Sequence, residues 1–278
     1  MASDANDCDS SGIYEVYAVR YGRHERTSAA NFIGGDPHDG PMPLDYFVWL
    51  VRNAQRSFVI DTGFNAEAAQ RRGRELIRCP AAGLKALGVD AARVRDVIVT
   101  HLHYDHIGNF DLFANATFHL QDEEMHFATG RHMGRPDQSH SYDVEAVVGM
   151  VREVYRGRVR FYDGDAELAP GLSVHHVGGH TPGLQVVRVR TARGFVVLAS
   201  DASHFYANMR SRRPFPIVFD VDDMVAGWDR CVALADSADH VVPGHDPEVM
   251  RCYPVAAPGL EGLAVRLDVP PHRVCRPC

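Results

Sequence analysis

Thr100-His101-Leu102-His103-Tyr104-Asp105-His106-Ile107-Gly108 puts four metal-ligating side chains into six positions, directly behind the β-branched run 94–100. A buried strand that ends in such a segment must deliver it to an ion or to the edge of a sheet. In an extended chain, residues two apart point the same way, so His101 and His103 converge on one ion. Asp105 and His106 lie past the turn, where they face a second ion, and Gly108 permits tight entry into the next helix. A catalytic zinc ion keeps an open position and takes about three protein ligands. Further ligands must therefore come from elsewhere. The chain offers them after later apolar runs and beside glycine or small residues: His180 in 177–183, Asp201 in 198–201 and His245 in 242–246. Taken singly, His175, His176, His204 and His240 read as hydrogen-bonded core or surface residues.

Histidine is unusually frequent, at 16 of 278 residues, in an otherwise ordinary composition of 45% hydrophobic and 23% charged residues. Bulk disorder is excluded, and no apolar run approaches the roughly 18 residues of a membrane-spanning helix. The acidic start lacks the basic and apolar regions of an export signal, so residues 1–12 are expected to form a disordered tail of a cytoplasmic protein. Residues 13–278 are expected to form a single compact domain. A net charge of −7 argues against nucleic acid as a partner, as no membrane segment argues against a bilayer. Of the two dense basic runs, 71–74 and 210–213, both read as solvated faces, the second with an option of lying beside an anionic substrate group. Six dispersed cysteines point to reduced thiols, and the Cys275/Cys278 pair has no second pair with which to hold zinc.

Alternation and β-branched runs predict strands at 14–19, 46–51 and 57–61, the last two as a hairpin, then at 94–100, 116–120, 158–162, 172–177, 184–190, 194–200 and 239–242. Helices are expected at 65–73, 80–88, 121–128, 143–155 and 221–237. Between two of them, 129–142 is rich in Gly, His, Pro and Ser and reads as a mobile loop or lid.

The signature from His101 to His106, followed by His180, Asp201 and His245, resembles the metallo-β-lactamase superfamily over most of the chain. The resemblance implies an α/β fold, an αββα sandwich with the metals at one edge between the sheets, and Asp61-Thr62-Gly63 capping a strand beneath them. It implies that His101, His103 and His180 bind one ion, that Asp105, His106 and His245 bind the other, and that Asp201 bridges them. Two divalent ions are expected, zinc first, although the same ligands suit manganese, iron or cobalt. The segment 200–206 and the run 243–246 look most like the N-acyl homoserine lactone lactonases. That branch implies lactone-ring opening of a small-molecule substrate by a hydroxide shared between the ions, with Asp105, His204 and Tyr206 as candidate catalytic residues. His204 stands where related lactonases often carry a tyrosine that donates to the reacting oxygen, and Tyr206 is the competing donor. Phe64, Tyr104, Met133 and Phe205 are the expected substrate-binding wall. A thioesterase of the glyoxalase II type, or hydrolysis of another cyclic ester, amide or imide, is the alternative, and a homodimer is left open.

Overall fold

The computed structural model describes residues 12–272. The expected N-terminal tail falls almost entirely outside them, as does the Cys275/Cys278 pair. Strands β1 (Glu15–His24), β2 (Leu44–Arg52), β3 (Ser57–Ile60), β4 (Glu75–Leu76), β5 (Asp96–Ile98), β6 (Thr117–Gln121) and β7 (Val159–Tyr162) belong to one sheet. Strands β8 (Ala166–Ala169), β9 (Leu172–His176), β10 (Gln185–Thr191), β11 (Gly194–Ser200) and β12 (Val241–Pro243) form a second sheet, while β13 (Ala264–Arg266) returns to the first. The first is ordered β13-β1-β2-β3-β5-β6-β7, with β4 on β1, and the second β12-β11-β10-β9-β8. The expected hairpin is present, with Arg52 opposite Ser57. Strands β3, β5, β6 and β7 then run parallel, so their C-terminal ends lie along one edge.

Alternation along the strands makes three apolar layers. Phe47, Trp49 and Val51 of β2 meet Val187 and Val189 of β10, and Val196 and Leu198 of β11, between the sheets. Val48 and Leu50 face the opposite way, into a core shared with Leu84, Val147 and Met150 from the helices. On the far side, Val186, Val197 and Ala199 pack with Cys231. Strand β2, buried on both faces, is therefore a near-continuous apolar run. The result is the expected αββα sandwich.

Helices α1 (Ala66–Arg72), α2 (Pro80–Ala86), α3 (Tyr104–Ile107), α4 (Asp122–Ala128), α5 (Pro136–Ser139), α6 (Val144–Tyr155), α7 (Tyr206–Ser211), α8 (Val221–Leu234) and α9 (Glu248–Cys252) complete the described chain. Asn65 caps α1 by accepting from the Ala68 amide, Asp143 caps α6 through Glu145, and Asp220 caps α8 through Asp223. The stretch 129–142, expected as a loop, contains a 3-10 turn at Arg131–Gly134 and helix α5. Strands β4, β8 and β13 and helices α3, α7 and α9 are short and were not anticipated. Each is set by a distant neighbour: β13, for instance, pairs with β1 at Tyr17–Arg266.

Candidate metal centre

The parallel end of β5 delivers Thr100 and His101, the chain stays extended through His103, and α3 begins at Tyr104. Asp105 and His106 therefore sit on a helical turn. The turn packs closely: a Cβ at Gly108 would lie 2.8 Å from the Tyr104 carbonyl oxygen and 2.9 Å from that of Gly63. The other candidate ligands arrive from the second sheet. His180 lies in the loop joining β9 to β10, Asp201 directly follows β11, and His245 follows β12.

All seven side chains are buried, Asp105 being the most exposed at 8%. His103 Nδ1 lies 3.0 Å from His101 Nε2 and 2.9 Å from His180 Nε2, which makes a compact triangle of ring nitrogens. Asp105 Oδ2 lies 3.7 Å from His106 Nε2 and 3.9 Å from His245 Nε2. Asp201 divides its oxygens between these groups. Its Oδ2 is 3.3 Å from His180 Nε2 and 4.0 Å from His101 Nε2, while its Oδ1 is 2.9 Å from His245 Nε2 and 3.4 Å from His106 Nε2.

The opposite nitrogens are held. Asp61 Oδ2 is 2.7 Å from His106 Nδ1, and the Asp61 carboxylate also accepts from the Thr100 amide and hydroxyl, both at 2.8 Å. His180 Nδ1 is 2.7 Å from the Ile217 carbonyl oxygen, and His245 Nδ1 is 3.0 Å from that of Asp45. Such contacts fix the tautomer, so that Nε2 presents a lone pair. Burial pushes His101 and His103 well below the usual imidazole range, with neighbouring imidazoles adding to the effect. For Asp201 burial acts upward, but His245, His106 and His204 outweigh it and hold the carboxyl well below its ordinary value.

The donor set fits two divalent cations. Despite the short separations, His106 Nε2 and Asp201 Oδ1 are buried without a geometrically sound hydrogen bond, as acceptors left for a cation would be. Groups able to hold an ion are His101–His103–His180, Asp105–His106–His245, His101–His106–Asp201 and also His180–Asp201–His204. His204 thus lies against the cluster, with Nε2 at 3.1 Å from Asp201 Oδ2 and its ring stacked at 3.6 Å on Phe215. Burial depresses its pKa to about 3 even though Asp201 pulls the other way.

The expected substrate wall is only partly assembled. Tyr104 lines the cavity over the cluster, as does His204. Phe64 is fully buried among Tyr21, Tyr46 and Tyr104 as packing beneath the site. Met133 lines a neighbouring cavity with Ala128 and Tyr142, and Phe205 another with Phe32 and Pro247. Tyr206 lines a third, beside Arg193, Arg210 and His240. The competing donor thus borders a cavity different from the one above the cluster, and its hydroxyl is buried.

Polar residues stand where an apolar wall was expected: His24, Arg26, Tyr46, Arg72, Arg74 and His140 share the cavity with Tyr104. The basic run 71–74, expected as a solvated face, instead brings Arg72 and Arg74 to the lining of this cavity. The other run is the solvated one, with Arg212 paired to Asp229 at 2.7 Å. Glu124 was also missed: its buried carboxylate accepts from the Leu102 amide at 2.9 Å, the Tyr142 hydroxyl at 3.1 Å and the Thr181 hydroxyl at 2.6 Å. As one of three acidic residues, Asp122-Glu123-Glu124, in the first turn of a helix, it carries no local sign of that role. His175, His176 and His240 lie outside the cluster, bonded to Asp165, the Pro182 carbonyl and the Arg193 carbonyl.

The family model of the metallo-beta-lactamase superfamily matches residues 42–245. An N-acyl homoserine lactonase of a Bacillus species is 29% identical over 153 residues, 55% of this chain, and the chain spans about half (52%) of that relative's length. The N-acyl homoserine lactonase AttM of Azorhizobium caulinodans is 28% identical over 250 residues, covering 81% of this chain and 89% of that one. Among solved structures, a quorum-quenching N-acyl homoserine lactone lactonase superposes with a TM-score of 0.72 at 23% identity, over 86% of this chain and 95% of the other. A probable metal-dependent hydrolase from Staphylococcus aureus gives 0.70 at 17% identity, over 95% and 96%. Carrying the sandwich, the buried cluster of five His and two Asp side chains and a family match that runs from β2 to His245, the chain belongs to the metallo-beta-lactamase superfamily.

Proposed function

We propose that the protein is a binuclear metal-dependent hydrolase that opens lactone rings, N-acyl homoserine lactones being the class suggested by its relatives' names. The observation that carries this reading is the Asp201 carboxylate, which turns one oxygen to each histidine group. His101, His103 and His180 would hold one ion, Asp105, His106 and His245 the other, with Asp201 shared, and zinc is the ion we propose. When bound, such a pair supplies an ionised water nucleophile near neutral pH and polarises an ester carbonyl.

The chain's own groups provide orientation and donors. Asp61 holds the His106 ring through Nδ1, and the Asp45 and Ile217 carbonyls hold His245 and His180. We assign the donor to the reacting oxygen to His204, which borders the cavity, and not to Tyr206. The Tyr104 phenol, pushed up to about 12 chiefly by burial, stays protonated and is a further donor. Asp105 acts as a ligand that orients the second group.

Titrating the acid released from N-hexanoyl homoserine lactone tests the reading, together with metal analysis of protein purified without chelator. Acid release that stops on chelation, with about two ions per chain, is expected. Full activity at one ion per chain would rule out the binuclear assignment. Thiol release from a glutathione thioester far faster than lactone opening would make it a thioesterase.

A further inference from the structure

The cavity above the cluster is rimmed by cations for which the hydrolytic chemistry has no use. Arg26, Arg72 and Arg74 all line it. None of them has a carboxylate within 4.0 Å among the described residues, in a chain whose net charge is −7. Their neighbours behave differently: Arg71 pairs with Glu67 at 3.3 Å and with Asp143, and Arg23 with Asp45 at 3.6 Å. The rim arginines are nevertheless anchored. Arg72 lies 4.0 Å over the Tyr104 ring and donates to the carbonyl oxygens of His140 and Tyr142 at 2.7 and 3.0 Å. Arg74 donates through Nε to the Tyr104 hydroxyl at 3.1 Å and through Nη1 to His24 Nε2 at 3.0 Å, while Arg26 donates to the Ala30 carbonyl.

Neutral acceptors fix direction and leave the charge uncompensated, and the Arg72 Nε is buried with no hydrogen-bond partner. Partly buried guanidinium groups without counter-ions carry a desolvation cost that an arriving anion removes. The carboxylates in the same cavity make no ion pair with them: Asp105 acts on Arg74 only from beyond 4.0 Å, and Asp105 and Asp201 are turned to His106, His245 and His180. Of the apolar side chains that would suit an alkyl arm, Leu44 and Ile217 line this cavity, whereas Met133 and Phe205 border others.

We propose that Arg26, Arg72 and Arg74 form a carboxylate subsite, and that the preferred lactone carries an acidic arm in place of a plain alkyl chain. The identity of the reacting ring rests on the lactonase reading, whereas the subsite is tested apart from it. Two lactones with six-carbon arms separate the cases: N-hexanoyl and N-adipoyl homoserine lactone differ in a terminal carboxylate. At low ionic strength the zinc-loaded enzyme should favour the adipoyl compound by about tenfold or more in kcat/KM, as expected for a charge-assisted pair. The ratio should shrink in about 0.5 M salt and fall to within about twofold in Arg26→Gln or Arg74→Gln. A wild-type ratio of one or less, or a ratio that neither substitution alters, overturns the subsite.

If neither lactone is opened, the lactonase reading fails by itself. The subsite is then decided by calorimetry on the zinc-loaded protein, with adipate and hexanoate as probes. Adipate binding about tenfold tighter, with the difference lost in Arg26→Gln, supports it, and equal affinities overturn it.

Discussion

Asp201 is the carboxylate that lies against both histidine groups, so if it bridges two ions as proposed, its replacement should cost more than that of any single histidine. Asp201→Asn is expected to lower metal content from about two ions to one or fewer per chain, whereas His101→Ala should spare the other ion. Elemental analysis of both variants decides this, and equal losses would remove the bridging role. Behind the ligands, Asp61→Asn leaves His106 with a weaker acceptor and should weaken metal binding by about 10- to 100-fold, read by chelator competition. His24 provides a pH signature. Burial, together with the charges of Arg74 and Arg26, depresses its pKa from 6.5 to about 4. A lowered folded-state value means stability fully present above 6.5 and lost as pH falls toward 4. The whole shift corresponds to about 3 kcal/mol, which solvent screening of this half-buried ring reduces to about 1 kcal/mol. Denaturant unfolding should show the wild type losing that much relative to His24→Gln between these pH values. A constant difference across the window would mean that the ring titrates normally in the folded protein.

Glu124 links separate segments, because α4 presents its carboxylate to the exit of β5 at Leu102, to Thr181 beside His180 and to Tyr142 at the end of the 129–142 stretch. The loop carrying His180 is pressed against the same helix. A Cβ at Gly183 would stand 2.1 Å from the Glu124 amide nitrogen and 2.4 Å from its Cα, so backbone must move to admit one. Gly183→Ala should therefore destabilise by about 1–3 kcal/mol and weaken metal binding through His180. Unfolding curves and a zinc competition titration, run together, test the coupling. Lost stability with unaltered metal affinity would show that the loop shift does not reach His180. Helices with a capping side chain and an apolar face, such as α1, α6 and α8, were legible in the sequence to within a few residues. The short strands β4, β8 and β13 were not, because their pairing partners supply the order that two to four residues cannot encode locally.

The two sheets bring different side chains to one cluster, His101 to His106 from the first and His180, Asp201 and His245 from the second, so an ion held as proposed should act as a clamp across the sandwich. Each site filled at 100 times its dissociation constant adds about 3 kcal/mol to folding stability. Chelation is thus expected to lower the melting temperature, followed by circular dichroism, with little loss of secondary structure before melting. An unchanged melting temperature in protein shown to be metal-free would contradict a clamp. Spacing and alternation, which are local properties of a chain, were enough to pick out the His and Asp side chains that meet and most of the strands that carry them, and the family resemblance implied the layered αββα plan. Only the tertiary structure decided how the Asp201 oxygens divide, that Asp61 backs His106, that Phe64 is packing and Tyr206 faces another cavity, and that arginines rim the site. A charged residue looks the same in sequence whether it faces water or a cavity. Arg26, which follows β1, and Arg72 and Arg74, at and beyond the end of α1, acquire a common environment only when the folded chain brings them over α3.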